Sequence, residues 1–325
     1  MRLRLSIFSL AVLLAVPLVA GYPPGLAFLK TSDLWAYSGG RYAGLSGGVP
    51  LLYQAIPYPS GTGSFLIRTP NLVMYEHGTT ISTWDVIERF YNDPETGIRD
   101  IFTADTDLGE IAPLRSGNFL VAERWNAPEA GAKLIEFNLN GKVTEYLLPK
   151  VIDVGKNRAL GAAHIEVLAD GCTVLYTLGN DDPAGPRVHR YNLCTRTAEA
   201  DFADLFPGKY AGAIRQAATG DIFVANGTAV KQFSSQGQQL HDYAFAGVTH
   251  LALTTDGRAF YAAGVNQAKA ALRLYQADDP TTPMSIQLGN DGMQGVFVDV
   301  AAYDLVVVSE WRAARPISRI RAVRH

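Results

Sequence analysis

Cysteine is nearly absent: the chain of 325 residues has two, Cys172 and Cys194. Two thiols cannot complete a tetrahedral zinc site by themselves, and no C-x-x-C is present, so an all-cysteine zinc site and a C-x-x-C redox motif are excluded. Long apolar runs are as scarce. The first, Leu5 to Val19, follows Arg2 and Arg4 and leads into a small-residue exit at Ala20-Gly21, and no second run of that length occurs. It is short for a bilayer of about 30 Å, and Pro17 and Tyr22-Pro23-Pro24 suit a cleavage site better than a continuing helix. The expectation is a signal peptide over residues 1–20 and one domain over 21–325, secreted or periplasmic, with no stable membrane span after cleavage. No Cys ends the signal, which speaks against a lipid anchor. An excess of positive charge is missing too. Losing Arg2 and Arg4 takes the net charge from −3 to about −5, which offers no field to nucleic acid. The one basic cluster, Arg312 to Arg324, interleaves with Ile317, Ile320 and Val323 as solvated strand edges would. Finally, no long 3.6-residue periodicity is present, which excludes a helical fold.

What the chain does have is a repeat. An apolar alternating stretch, a tight turn and a second apolar run recur at Ile111 to Glu123, Ile165 to Tyr176, Ile214 to Ala225 and Leu251 to Ala262. The turn glycines Gly117, Gly171, Gly220 and Gly257 lie 54, 49 and 37 residues apart, the period of a propeller blade. Asp-Gly or Ser-Gly supplies the positive φ of a two-residue hairpin turn, and the run after it reads as buried on both faces. Weaker copies at Thr69 to Tyr75 and Ala302 to Val308 make six units. The last unit ends after its third strand, Pro316 to Val323, while residues 25 to 60 precede the first and include the strand-like Val49 to Ile56. A ring must close to remove its edges, so the N-terminal segment is expected to supply the missing outer strand. The fold class is therefore all-β, a six-bladed propeller of four-stranded antiparallel blades.

The cysteines belong to the third unit. If they face each other, the hairpin centre falls at Pro183, inside the turn-forming Gly179 to Gly185. An exported protein would oxidise them to a disulfide.

The four copies resemble the calcium-dependent six-bladed propellers of the SMP-30/gluconolactonase and NHL-repeat group, whose blades carry the same strand, Asp-Gly turn and strand. Gly141 to Pro149 is similar to the blade ending of virginiamycin B lyase-like propellers. The likeness spans residues 64 to 323 and implies the propeller fold. It also implies lactonase chemistry at Glu, Asn and Asp ligands where innermost strands begin, of which this chain matches the Glu, Glu110.

Equivalent positions of successive blades form rings around the axis. The residues seven places before the turn glycines are Glu110, His164, Ala213 and His250, with Gly63 and Val296 in the flanking copies. Glu plus two His is a ligand set for a catalytic divalent metal, calcium or zinc here. The same residues also suit a polar, solvated channel mouth that binds a small molecule, glycan or protein. Glu166 and Arg215, two places further along, share the parity and can line the funnel or form an ion pair between blades. Asp105 to Glu110 lacks the third ligand and the distal Glu of a calcium loop. Gly44 to Gly48 fits G-x-S-x-G without strand or helix beside it and reads as a flexible loop. Asn226-Gly-Thr228 is a glycosylation sequon where the cell has that pathway. Two functions remain open: a binding module, or a metal-dependent hydrolase of lactones or esters or a C–O lyase.

Overall fold

The computed structural model describes residues 27–34, 40–46, 49–56, 64–68 and 107–324, apart from 139–140, 180–181, 255, 268, 278, 290–292, 302–304 and 313–314; strands before residue 109 and after 289 are described by backbone pairing. The expected signal peptide, the copy at Thr69 to Tyr75, Gly63 and Asp105 lie outside the described residues.

Regular structure among the described residues is all β. Strand β1 (Ala27–Leu34) comes first, then a meander of β2 (Gly40–Ser46), β3 (Val49–Ile56) and β4 (Ser64–Arg68). The next sheet holds β5 (Asp107–Pro113), β6 (Phe119–Asn126), β7 (Lys133–Asn138), β8 (Gly141–Leu147), β9 (Val151–Asp153) and β10 (Arg158–Leu160). Three four-stranded meanders follow. The first is β11 (His164–Val167), β12 (Thr173–Thr177), β13 (Arg187–Asn192) and β14 (Thr197–Asp204). The second is β15 (Ile214–Gln216), β16 (Ile222–Ala225), β17 (Ala229–Phe233) and β18 (Gln239–Ala244). The third is β19 (Val248–Leu253), β20 (Ala259–Asn266), β21 (Lys269–Gln276) and β22 (Asp279–Gly289). The chain ends with β23 (Met293–Ala301), β24 (Leu305–Arg312) and β25 (Arg315–Arg324).

The last sheet runs β1-β25-β24-β23, with β1 antiparallel to β25 from Ala27 opposite Arg324 to Leu34 opposite Ser318. The arginine-rich segment is thus paired on both sides instead of forming a rim. Val49–Ile56 is a strand, as its pattern predicts, but it is the centre of the β2–β4 meander. Gly44 to Ser46, expected as a loop, belongs to β2, where pairing with Leu51, Pro50 and Val49 of β3 overrides the low strand propensity of glycine. It leads into another strand, not a helix, so it is no nucleophile elbow.

Alternation along the second strand of each repeat explains how the sheets stack. In β12, Val174 and Tyr176 pack toward the β5–β8 strands while Leu175 packs toward the β15–β18 sheet. In β16, Ile222 and Val224 join Leu175, whereas Phe223 and Ala225 face the other way, onto Val248, Leu251 and Phe260. A period of two with apolar residues at every position fills a core on each side, which is why these runs show no polar face. The three cores are therefore the interfaces between neighbouring sheets.

The four repeat turns match in detail. Each glycine has positive φ (85°, 76°, 94° and 68° in chain order) and donates its N–H to the carbonyl three residues back, Leu114, Leu168, Ala217 and Thr254. The strands close around them through Leu114 N to Asn118 O and Ala217 N to Asp221 O, and through Leu168 N to Thr173 O and Thr254 N to Ala259 O. The loops are thus one or two residues longer than the expected two-residue turn, because the glycine closes a β-turn before the strand resumes, as in bulged hairpins.

Cys172 and Cys194 are disulfide-bonded, with Cα atoms 5.3 Å apart. The register differs from expectation by one residue: Thr173 faces Asn192 and Val174 faces Tyr191, so Cys172 stands opposite Leu193, whose N–H it accepts. Cys194 lies just past β13 in a turn, where Asn192 Oδ1 accepts its N–H and that of Thr195. Asp170 Oδ1 accepts the N–H groups of Cys172 and Thr173 in the facing turn. The bond therefore ties two turns at one end of the sheet and does not cross the middle of a ladder.

Candidate functional site: a polar cluster where innermost strands begin

Two glycines bring the starts of the first strands together. Gly109 lies in a bulge of β5, and a Cβ there would stand 2.1 Å from Ala162 O; the close approach lets Glu110 donate its N–H to Ala163 O at 3.0 Å. Gly212 repeats the device. Its Cβ would stand 2.6 Å from Thr249 O, and Ala213 donates to that same carbonyl. The residues seven before Gly117 and Gly220 thus donate to the residues eight before Gly171 and Gly257, which joins neighbouring strand starts at these two points.

The side chains converge as that alignment requires. Glu110 Oε2 lies 3.6 Å from His164 Nδ1 and accepts the N–H of Ile165 at 3.2 Å. The ring of His250, from β19, meets that of His164 edge to face with centroids 5.0 Å apart. His250 therefore does reach across from two sheets away. It is not the solvated mouth residue expected, however: it is 4% exposed, because a bulge between Val248 and His250 displaces the register there and the His164 ring packs against it. Burial, then the neighbouring His164 and Arg215, holds its pKa well below the usual imidazole value, against the pull of Glu110. His164 is the more open of the two, with 18% of its side chain exposed.

The alanine in the ring series is answered by Arg215, two residues further on. Its Nη2 donates to Glu110 Oε1 at 2.6 Å and its Nη1 to Ile214 O at 2.6 Å, with both charged side chains less than a tenth exposed. Arg215 thus forms an ion pair between sheets, with Glu110. Glu166 accepts the N–H of Gln216 at 2.9 Å, a second link between β11 and β15. The divalent ion implied by the family resemblance needs the Glu110 carboxylate. One oxygen of that group is engaged by a guanidinium, and among the described residues no group of three or more His, Cys, Asp or Glu is placed to hold a metal ion.

Other expectations resolve separately. Asn226 of the sequon is fully buried, its Nδ2 donating to Leu205 O and Pro207 O and its Oδ1 accepting from Thr228 N, Thr228 Oγ1 and Ala229 N. The folded chain does not present it for modification. The loop after Trp125 is pinned by Glu123, also fully buried, whose Oε2 accepts from Asn126 Nδ2 at 3.1 Å and Lys133 N at 2.9 Å. Nothing in the local sequence marks Glu123; only its position inside an apolar strand followed by a loop hints at such a role. Arg215 had a clearer signal, as a lone cation at an inward position.

No family model matches the chain, and no curated protein matches it. Solved structures do. A protein of unknown function from Dyadobacter fermentans is 12% identical with a TM-score of 0.60, over 93% of this chain and 99% of that one. The β-propeller domain of Myceliophteria thermophila Cps50 (Swd1) is 10% identical with a TM-score of 0.51, over 92% and 99%. The fold is that of a β-propeller. A virginiamycin B lyase from Staphylococcus aureus, solved with quinupristin, is also similar, at 17% identity and a TM-score of 0.46, over 66% of this chain and 70% of that one. At such identities the propeller likeness speaks to architecture, and the chemistry must be argued from the cluster itself.

Proposed function

We propose that the chain is an exported six-bladed propeller, closed by β1 against β25, that binds a small molecule, glycan or protein at the mouth of its channel. The observation that carries this reading is the convergence of Glu110, His164, Arg215 and His250 from four different innermost strands. In a propeller such strands face the axis, and polar groups brought there by separate blades present a concave, chemically mixed surface to a ligand. His164, the most open member, is the contact residue. Closure is supported by the β1–β25 ladder, and six blades by the three four-stranded meanders, the β1-β25-β24-β23 sheet, the β5–β8 strands and the β2–β4 meander. A thermal-shift screen of small acids, sugars and peptides tests the reading: a ligand that raises Tm should lose its effect in His164→Ala, and ligands indifferent to that substitution would count against the mouth.

A second reading starts from the same three side chains and requires the Arg215 contact with Glu110 to open. Glu110, His164 and His250 would hold calcium or zinc, and the ion would polarise a lactone or ester carbonyl or assist C–O elimination, as the likeness to the SMP-30/gluconolactonase group implies. The metal content of the purified protein separates the two. One equivalent of divalent metal per chain, with activity lost to a chelator, would establish the enzyme.

A further inference from the structure

The one carboxylate that the metal reading cannot do without already has a cation. Arg215 comes from β15 and Glu110 from β5, 105 residues away in sequence, and they meet at 2.6 Å with side chains 6% and 8% exposed. The guanidinium is anchored at its other end by Ile214 O. Arginine stays protonated at any working pH, and a buried charge-assisted pair of this kind is stronger than an exposed one. A divalent ion at Glu110 would have to displace the guanidinium or sit beside it. Displacement leaves a buried, uncompensated Arg215, and coexistence sets two cations against each other in a poorly hydrated site.

We propose that Arg215 is the resident cation of the cluster: it neutralises Glu110 and excludes divalent ions from Glu110, His164 and His250, fixing the mouth as a site for metal-free ligands. The residue acts on specificity and is not itself a metal ligand. In its absence the remaining groups are the Glu110 carboxylate, 3.6 Å from His164, and the His250 ring packed on His164, donor types that zinc takes once the side chains turn toward one point. The inference rests on the binding reading for its biological meaning, but its test does not use that ligand.

The test is titration of the full processed chain with Zn2+ and with Ca2+ by calorimetry, with circular dichroism and melting to show that each variant is folded. Wild type should show no saturable binding. Arg215→Met and, as a second neutral variant, Arg215→Gln should each bind one Zn2+ per chain saturably, at least about a hundredfold more tightly than the detection limit that wild type fails to reach, since the like-charge repulsion is gone. Adding Glu110→Gln should remove that gain, while Arg215→Lys, which keeps the charge, should resemble wild type. A folded neutral variant that gains nothing overturns the proposal. So does saturable binding of either ion by wild type that is lost in His164→Ala, whatever the stability of the Arg215 variants. Failure of the ligand screen with the metal results as expected would refute the binding reading alone.

Discussion

Glu123 is held at the base of the loop after Trp125 by two hydrogen bonds to one oxygen, while its other oxygen, Oε1, is buried with no hydrogen-bond partner among the described residues. Burial pushes its carboxyl up to about 7, against the opposing pull of Asn126 and Lys133. An acid raised by folding keeps its proton in the native chain at pH values where the unfolded chain has lost it. Its contribution to stability is therefore present below the unfolded value and is lost as pH rises from about 4.5 to about 7, a swing of about 3 kcal/mol. Glu123→Gln keeps an acceptor toward Asn126 and Lys133 but does not titrate. Its stability relative to wild type, from urea midpoints, should improve between pH 5 and about pH 7 and level off above that; parallel profiles would show that Glu123 is not the group responsible. Asn226 is a second residue whose importance is structural. Its side chain serves three donors and two carbonyls, so Asn226→Ala should cost about 2–4 kcal/mol, read by chemical denaturation, with no change in any glycan mass.

Glycines test the elements because φ and space can be separated. Gly117 has φ +85° and no described residue within 4 Å of where a Cβ would stand, so Gly117→Ala should cost only the left-handed conformation, about 1–2 kcal/mol. Gly247 has φ +82° and a Cβ there would stand 2.2 Å from Val265 O, so Gly247→Ala should cost clearly more, as measured by the drop in Tm. Equal losses would mean that β19 and β20 can part without penalty. The disulfide belongs to this scale as well: replacing both cysteines with serine should remove at most about 3 kcal/mol, because the hairpin already limits the loop it closes. The repeat strands were legible because their apolar runs and glycine turns are local signals. The Cys172 register was misjudged by one residue, since Asp170 and Asn192 build the flanking turns and shift the facing positions. The β9–β10 hairpin was not foreseen. It pairs with Trp125 and Asn126 of β6 beyond Ala122, the last residue paired with β7, and such a contact has no periodicity of its own.

At the scale of the whole molecule, ring spacing located Glu110, His164 and His250 together, because a repeat converts sequence position into height along the axis. It did not show that Arg215 would take Glu110 or that His250 would be buried, as both depend on how separate sheets meet. That burial has a consequence for pH. His250 is a base whose pKa is depressed by folding, so its neutral form is stable above the unfolded value, and stability is lost as pH falls below about 6.5 toward its folded pKa. Glu123 acts in the opposite sense between about 4.5 and 7, losing stability as pH rises. The two stand in different sheets and share no hydrogen bond, so their effects should add. In the overlap, from about pH 5 to 6.5, their slopes oppose each other and wild type should be nearly level with respect to this pair. Glu123→Gln should then expose the acid-side loss, becoming more stable as pH rises through that window. His250→Gln should expose the other slope, becoming less stable over the same range, and the double variant should be level again. Melting curves of the four proteins at three pH values measure this, and single variants whose slopes share one sign would show that burial of one of the two groups has been misassigned.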